Sequence, residues 1–504
     1  MDFIPPKSRP IGYLYLIECY KLVVLPHFRA SYVIPTWQQI IIKNDNQEVY
    51  VYPKSYMLSD MQDSFQHLEF AFKHEGINLE ILKNLFDHIS SQQITAYLGK
   101  ASTGKYSRIM WYLYEWLTGK KLMIDDLVAS GSYVNLLDEE MYYTTKPIKI
   151  RRQRVNDNLL GDSSFCPLVR RTSTLVSYET KQLDSVGLNL LKKYDVLTIE
   201  RAMQYLYTKE TMSSYQIERE QPDKARLARF TQILEQSSRL KNMDKNVLIE
   251  LQNAIVDSRF AEENYRTSQN YIGENTYLES QRIHYVSPQP QDVATLMQGL
   301  IASLEHMIAS GVHPVIIATT IAFGFVFIHP FEDGNGRLHR FLIHYVLAIT
   351  RFVPEGMIFP VSAVILKNRK KYDEVLEGFS IPLLSTIENY QTDMEGNLTA
   401  KGNVSSLYQY IDYTRFAEYL FECIEQTIDT DFKQELEYLV NYDSAKKQIQ
   451  DTIDMPDKLI GLFINFVKQN KGKLSVDKRL KFFNNLTDEE IQTLEKIVQE
   501  TVLR

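Results

Sequence analysis

The longest apolar run of the chain, VIIATTIAFGFVFI at residues 315–328, has 14 residues and includes two threonines. A run of this length is too short to cross a bilayer, so it predicts a helix that is buried on most sides. The polar stretch HPFEDGNGRLHR follows at 329–340, and RLHRFLIHYVLAI then restores apolar positions at helical spacing. The pattern predicts two helices joined by a tight loop.

Helical spacing dominates the centre and the end of the sequence, so we expect a mainly α fold. A β-hairpin is predicted in two places, IIIKNDNQEVYVYP at 40–53 and NYIGENTYLESQRIHYVSPQPQ at 270–291, and the stretch KPIKIRRQRVNDNLLGD at 146–162 has extended and turn-like character. The polar segment QTDMEGNLTAKGNVSS at 391–406 is typical of a linker. The expected units are an N-terminal α+β domain at 1–180, a helical core with a hairpin at 185–385 and a C-terminal helical domain at 405–504.

Composition narrows the class of protein. The chain is 44% hydrophobic and has 56 basic and 63 acidic residues, a net charge of −7. This balance argues against a nucleic-acid coat, and the basic patch KPIKIRRQR at 146–154 is interpreted as a solvated face. The three cysteines lie far apart, which is typical of a reducing compartment. The first 20 residues lack the features of a secretory signal, so we expect a soluble, cytoplasmic protein without a membrane partner.

The loop at 329–340 has the residues of an anion site. The first turn of a helix exposes N–H groups and a partial positive charge, and glycines allow these amides to close on an oxygen. Arg337 and Arg340 are three positions apart and share a helix face, where both can bind phosphate oxygens. Asp333 has a hard oxygen of the kind that Mg²⁺ prefers, and His329 can accept a proton near neutral pH.

The same stretch matches the motif HPFx(D/E)GNGRxxR of the Fic family at every fixed position. The resemblance covers about residues 185–380, and it includes the apolar helix before the motif and a hairpin similar to the flap of the family. It implies a protein adenylyltransferase, an enzyme that transfers AMP from ATP to a Tyr, Thr or Ser hydroxyl of a target protein or of itself.

The family resemblance implies a role for each motif residue. His329 would deprotonate the target hydroxyl, and Asp333 would hold Mg²⁺ between the α- and β-phosphates of ATP. Arg337 would bind the β-phosphate and Arg340 the γ-phosphate. The complete set of implied ATP-binding residues is Asp333, Gly334, Asn335, Gly336, Arg337, Arg340 and Tyr372, the last of them near the adenine.

Other functions are open at this point. Doc-like kinases of the family carry a lysine where this chain has Gly336, so the glycine favours AMP transfer over phosphate transfer. Phosphocholine transfer and removal of AMP from a modified target are further alternatives within the family. A different class is a non-catalytic docking or regulatory module that retains the nucleotide pocket, but such a module would need neither His329 nor Asp333.

A second resemblance predicts self-inhibition. In TKETMSSYQIEREQPDK at 208–224, Ser214 and Glu218 are four positions apart, as in the inhibitory motif (S/T)xxxE(G/N) of the family. Arg219 departs from the last position of that motif. The motif implies an inhibitory helix near 211–226 whose Glu218 pairs with Arg340 and competes with the γ-phosphate. A charged hydrogen bond contributes about 1.5–3 kcal/mol, which is enough for a reversible brake.

The predicted hairpin suggests how a target would bind. By resemblance to the family flap, Tyr271, Ile272 and Gly273 would present an edge to which a segment of the target adds as a strand. The expected partners are therefore ATP and a protein with an accessible hydroxyl side chain. The sequence also allows a homodimer.

Overall fold

The computed structural model describes residues 4–36, 39–43, 47–128, 132–275, 281–387, 391–392, 398–399 and 404–503. The chain is mainly α-helical, as the sequence predicts. Within these ranges, none of the helices has the length and apolar character that a membrane span needs.

The N-terminal part combines short strands with helices. Its elements are β1 (Arg9–Pro10), α1 (Tyr13–Tyr20), β2 (Arg29–Val33), β3 (Ile40–Lys43), β4 (Glu48–Tyr52), α2 (Ser64–His74), α3 (Leu79–His88), α4 (Ser91–Ala101), α5 (Lys105–Thr118), β5 (Val134–Asn135), β6 (Ile148–Ile150) and β7 (Val155–Asp157). One sheet has the order β1-β2-β4-β3 and another the order β5-β7-β6. Strands β3 and β4 pair antiparallel with Ile40 opposite Val51, which confirms the first predicted hairpin.

The central part consists of helices and one hairpin. Its elements are α6 (Ser173–Lys181), α7 (Leu183–Leu191), α8 (Val196–Ile217), α9 (Lys224–Glu235), α10 (Lys245–Ile255), β8 (Tyr271–Asn275), β9 (Gln281–Val286), α11 (Pro290–Ser310), α12 (Pro314–Ile328), α13 (Asn335–Ile349), α14 (Val361–Lys367) and α15 (Arg369–Thr386). Strands β8 and β9 pair antiparallel, so the second predicted hairpin is confirmed, with a bulge between Ile272 and Gly273.

The apolar run is the helix at the centre of this part. Helix α12 begins with Pro314, which needs no N–H partner in a first turn, and the His313 side chain accepts the N–H of Val315. Its side chains are buried on nearly all sides, and it packs along α11, α13 and a helix of the C-terminal part. Because α12 is enclosed in this way, it fixes the loop that follows it.

The C-terminal part begins inside the same hydrophobic core. Its elements are β10 (Gln391–Thr392), β11 (Leu398–Thr399), α16 (Ser406–Gln409), α17 (Thr414–Gln426), a π-helical segment (Thr427–Phe432), α18 (Lys433–Thr452), α19 (Asp457–Gln469), α20 (Val476–Phe482) and α21 (Asp488–Thr501). The core that contains α12 also takes in Leu420 and Leu436, while a separate cluster forms from Ala445 onward.

Two further sequence predictions concern the boundaries between units. The segment expected to be a linker contains β10 paired antiparallel with β11, and the rest of it up to residue 403 lies outside the described residues. The three domain boundaries stay predictions. The fold shows which helices meet around the loop at 329–334, and these are α8, α10, α12 and α13.

Candidate active site

The loop between α12 and α13 begins and ends in left-handed backbone. His329 follows α12 with φ 52° and ψ 60°, and Gly334 precedes α13 with φ 89°. A Cβ atom at position 334 would lie 3.0 Å from a methyl carbon of Val256. Glycine is therefore needed there both for the backbone conformation and for the close approach of the segment after α10.

Asn335 and Phe331 hold this loop in shape. The Asn335 side chain accepts the Phe331 N–H at 3.1 Å and donates to the Phe331 carbonyl at 2.6 Å. The Phe331 ring is fully buried, with its centroid 5.6 Å from that of Tyr265. Since both ends of the Asn335 amide bind the loop, the backbone N–H of this residue is the group left to contact an anion.

The imidazole of His329 is oriented as a base. Its Nδ1 lies 3.1 Å from the Val326 carbonyl oxygen. A carbonyl can only accept a hydrogen bond, so the proton is on Nδ1 and the lone pair is on Nε2. Burial lowers the pKa of His329 to about 4, and the nearby Arg266 charge acts in the same direction. The ring is therefore neutral at pH 7 and able to accept a proton.

The first turn of α13 and Asp333 are the part of the site that the sequence predicts to bind an anion. The N–H groups of the first turn have no carbonyl partner within the helix. The Asp333 Oδ1 accepts the Gly334 N–H at 2.6 Å and binds the Arg337 Nη2 at 2.7 Å. The described ranges contain no cluster of three metal-ligating side chains. A Mg²⁺ ion at Asp333 fits this arrangement only if phosphates and water supply most of its ligands.

Arg340 is buried and paired with the end of helix α8. Its Nε donates to the Ser214 hydroxyl at 2.7 Å, and its Nη2 donates to the Ser214 carbonyl at 2.8 Å and to the Glu218 Oε1 at 2.7 Å. Its Nη1 is buried without a partner among the described residues. The expected contact between Glu218 and Arg340 is thus present.

Glu218 reaches into the first turn of α13. A Cβ atom on Gly336 would lie only 2.1 Å from the Glu218 Oε1, so the glycine provides the space that this carboxylate occupies. Burial alone would raise the pKa of Glu218, but the charge and hydrogen bond of Arg340 lower it overall. The side chain is still 35% exposed. The carboxylate is ionised, paired and open to solvent on one side.

Arg337 has two carboxylate partners. Its Nη2 lies 2.7 Å from the Asp333 Oδ1 and 2.8 Å from the Glu220 Oε1. The guanidinium lies over the ring of Tyr215, 5.3 Å from its centroid, and the side chain is 1% exposed. The sequence prediction included the arginine but missed Glu220, because nothing in the spacing indicates its partner.

The predicted helix over 211–226 is wrong in its extent. Helix α8 ends at Ile217, and α9 begins at Lys224. Arg219 adopts left-handed backbone with φ 58°, and this conformation ends the helix. The small or amide residue that the motif has at this position tolerates that conformation more easily than arginine does. Glu218 is consequently the capping residue of α8.

Comparison with protein families addresses the identity of this site. Residues 242–347 match the family model described as the Fic/DOC family. The matched segment contains α12, the loop and most of α13. This chain therefore contains a Fic domain.

Curated relatives match the same region. A "Protein adenylyltransferase Fic" of Drosophila willistoni is 34% identical over 113 residues, which are 22% of this chain and 19% of the relative. A protein of that name from Drosophila ananassae is 36% identical over 113 residues, again 22% and 19% of the two chains. The match thus spans about a fifth of the length of these relatives.

Two solved structures align with part of this chain at low TM-scores. A Fic family protein from Desulfovibrio desulfuricans G20 has a TM-score of 0.36 at 15% identity and covers 64% of this chain and 84% of its own. A Fic domain containing signaling protein from Bacteroides thetaiotaomicron VPI-5482 has a TM-score of 0.36 at 18% identity and covers 51% and 96%.

The hairpin of the Fic domain lies next to the loop. Tyr271, Ile272 and Gly273 are in strand β8, and Ile272 is 46% exposed. A Cβ atom on Gly273 would lie 3.0 Å from the Arg282 carbonyl oxygen of the paired strand. Asn270, the residue before β8, donates to the Phe331 carbonyl at 3.4 Å. The predicted edge is thus adjacent to the loop, and its use for a target stays a prediction.

Tyr372 lies in the hydrophobic core rather than on the protein surface. The residue is buried, and its ring centroid is 6.3 Å from that of His339. Burial raises the pKa of Tyr372, and Arg340 acts in the opposite direction. The ring therefore packs beneath α13 near Arg340, and the predicted contact with adenine is not tested by this position.

Arg266 is a residue of the site that sequence reasoning missed. Its guanidinium donates to the carbonyls of His329 at 2.7 Å, Ser268 at 2.7 Å and Pro288 at 2.6 Å. Its N–H donates to the Pro330 carbonyl at 2.8 Å. Arg266 thereby fixes the loop to the base of the hairpin. A single arginine in the polar segment NYRTSQ gives no periodic signal that could reveal this role.

Proposed function

We propose that this protein is an adenylyltransferase that transfers AMP from ATP to a hydroxyl group of a protein. The observation that carries the proposal is the neutral His329 imidazole in the short loop that leads into the first turn of α13, the helix that also carries the buried Arg337 and Arg340. A neutral base, an anion site and two cations are the groups that transfer of a nucleotidyl group requires.

The reaction follows from these groups. The His329 Nε2 accepts the proton of the target hydroxyl, and the hydroxyl oxygen attacks the α-phosphorus of ATP. The bond from this phosphorus to the bridging oxygen breaks, and pyrophosphate leaves. Arg337 holds the β-phosphate, Arg340 holds the γ-phosphate, and the N–H groups of Asn335 and Gly336 bind phosphate oxygens. Asp333 would hold a Mg²⁺ ion, which neutralises phosphate charge when it is bound.

The same contacts support inhibition by α8. Arg340 already has a carboxylate partner in Glu218, so a γ-phosphate must displace Glu218 before it can bind. The partial exposure of Glu218 makes the displacement reversible. A side chain at position 336, such as the lysine of the kinase branch, would overlap Glu218, so the contact of Glu218 with α13 depends on the glycine.

Labelling with ATP that carries the label on the α-phosphate tests the proposal. Wild-type protein should label itself weakly, and Glu218→Gly should increase the rate about tenfold, the low end for loss of a charged hydrogen bond. His329→Ala in the Glu218→Gly background should abolish labelling. Glu489→Gln, a charge change on the distant helix α21, serves as the control and should match wild type.

Each alternative has its own result. Label from the γ-phosphate alone would indicate phosphate transfer and overturn the proposal. ATP binding without any labelling by Glu218→Gly would indicate a non-catalytic module. If Glu218→Gly labels itself only at the wild-type rate, inhibition by α8 is refuted, although AMP transfer stands.

A further inference from the structure

Glu220 forms a two-point ion pair with the first arginine of the site. Its Oε1 lies 2.8 Å from the Arg337 Nη2, and its Oε2 accepts from the Arg337 Nη1 at 3.2 Å. This is the fork geometry that arginine also uses for phosphate. The Arg337 side chain is 1% exposed, whereas that of Glu220 is 31% exposed. The arginine is fixed in the core, and the carboxylate covers it from the solvent side.

The turn after α8 places this carboxylate. With Arg219 in left-handed backbone, the Arg219 N–H donates to the Gln216 carbonyl at 3.0 Å and the Glu220 N–H donates to the Tyr215 carbonyl at 3.0 Å. These two bonds define a Schellman motif. The motif brings Glu220 back towards the body of the domain. Glu218 and Glu220 therefore point at two arginines that lie one turn apart on α13.

We propose that Glu220 is a second inhibitory carboxylate, which occupies Arg337 in place of the β-phosphate of a nucleoside diphosphate or triphosphate. The inference rests on the proposed function, because that function assigns the β-phosphate to Arg337. Glu218 and Glu220 then block two successive phosphate positions, one arginine each. A nucleotide must displace both side chains to bind fully.

Glu220 has a second cationic partner, which allows a phosphate to displace it from Arg337. Arg226 in α9 donates from its Nη2 to the Glu220 Oε2 at 2.9 Å. A nucleotide that takes Arg337 leaves Glu220 still paired with Arg226, so no carboxylate loses every partner. Arg337 in turn keeps its contact with Asp333 when Glu220 leaves. The Nε of Arg337 is buried without a partner among the described residues, so the guanidinium has a donor to spare.

The number of phosphates on the ligand provides the test. The dissociation constants of AMP, ADP and ATP are measured by calorimetry for wild type, Glu218→Gly, Glu220→Gln and the double variant. Glu220→Gln should bind ADP about five- to tenfold more tightly, the range for an ion pair between a buried and a half-exposed partner. Its affinity for AMP, which has no β-phosphate, should not change. Glu218→Gly should strengthen ATP binding more than ADP binding.

The double variant distinguishes direct competition between Glu220 and phosphate for Arg337 from an indirect effect in which Glu220 only holds Glu218 in place. If Glu220 competes for Arg337 directly, Glu220→Gln strengthens ADP binding by the same factor in the Glu218→Gly background. If the gain disappears in that background, Glu220 acts only by holding Glu218, and the inference is overturned. Equal gains for AMP and ADP would also overturn it, because they would indicate a general loosening of the site.

Two further variants control for effects of the substitution that are unrelated to the contact with Arg337. Glu220→Asp keeps the charge and the turn but is one methylene shorter, so it should give a gain for ADP in the same direction as Glu220→Gln. Glu489→Gln should leave all three constants unchanged. If Glu218→Gly transfers AMP while neither Glu220 variant changes ADP binding, this inference alone fails. If no variant binds ADP or ATP, the proposed function fails with it.

Discussion

The turn that carries both carboxylates contains backbone strain that a single substitution should relieve. Arg219 has φ 58°, and a residue with a Cβ atom pays about 1–2 kcal/mol for this conformation. Glycine avoids that cost, but it also has more conformational entropy than arginine in the unfolded chain, and this offsets about 0.4–1 kcal/mol of the gain in stability. Arg219→Gly should therefore stabilise the turn by about 1 kcal/mol.

Hydrogen exchange at the next amide measures this gain. The Glu220 N–H is bonded to the Tyr215 carbonyl and exchanges only when the turn opens. A stabilisation of about 1 kcal/mol should slow its exchange about fivefold, after correction for the intrinsic rate. Because a firmer turn holds Glu218 and Glu220 on their arginines, labelling from ATP should also slow.

Arg219→Ala is the matched control for this experiment. It removes the same guanidinium but keeps a Cβ atom in left-handed backbone, so it should not slow exchange. Equal exchange in the Gly and Ala variants would refute the argument that the turn is strained at Arg219. Faster exchange in the glycine variant would show that flexibility of the open chain outweighs the strain.

Two other predictions concern titration. The imidazole of His329 should titrate near pH 4 in the free protein, because burial disfavours its charged form. Comparison of its NMR spectra with those of His329→Ala identifies the His329 signal. A transition of this signal near pH 6.5 would contradict the prediction. Burial also raises the pKa of Glu80 to about 8, so the folded state binds more protons than the unfolded state above about pH 4.5, and stability falls as pH rises. Between pH 5 and 8 the loss should be roughly 4 kcal/mol from this group, and Glu80→Gln should remove it. All three tryptophans lie within the first 116 residues, so their fluorescence follows the unfolding of the part that contains Glu80; the same pH dependence in both proteins would contradict the assignment to this group.

The elements with strong local signals could be predicted from the sequence. The apolar run at 315–328 indicated α12, because 14 consecutive residues are more than a buried strand usually contains. Both hairpins were indicated by β-rich runs that flank turn residues. The loop was predicted because its fixed motif combines glycine, carboxylate and arginine within a few positions.

The partners of buried charges could not be predicted in the same way. The contact between Arg337 and Glu220 joins residues 117 positions apart, and its existence depends on the left-handed turn at Arg219. Helical periodicity instead predicted a continuous helix through that turn. Arg266 is a comparable case, since its role comes from carbonyls on three separate segments. Asn335 was expected at the phosphates, but its side chain is used to close the loop.

The most direct measurement of the central claim is the intact mass of the Glu218→Gly variant after incubation with ATP and Mg²⁺. We predict a species that is heavier by one AMP group, and we predict that it is absent when His329→Ala is added. A mass increase of one phosphate, or an AMP adduct that persists without the His329 imidazole, would contradict the account.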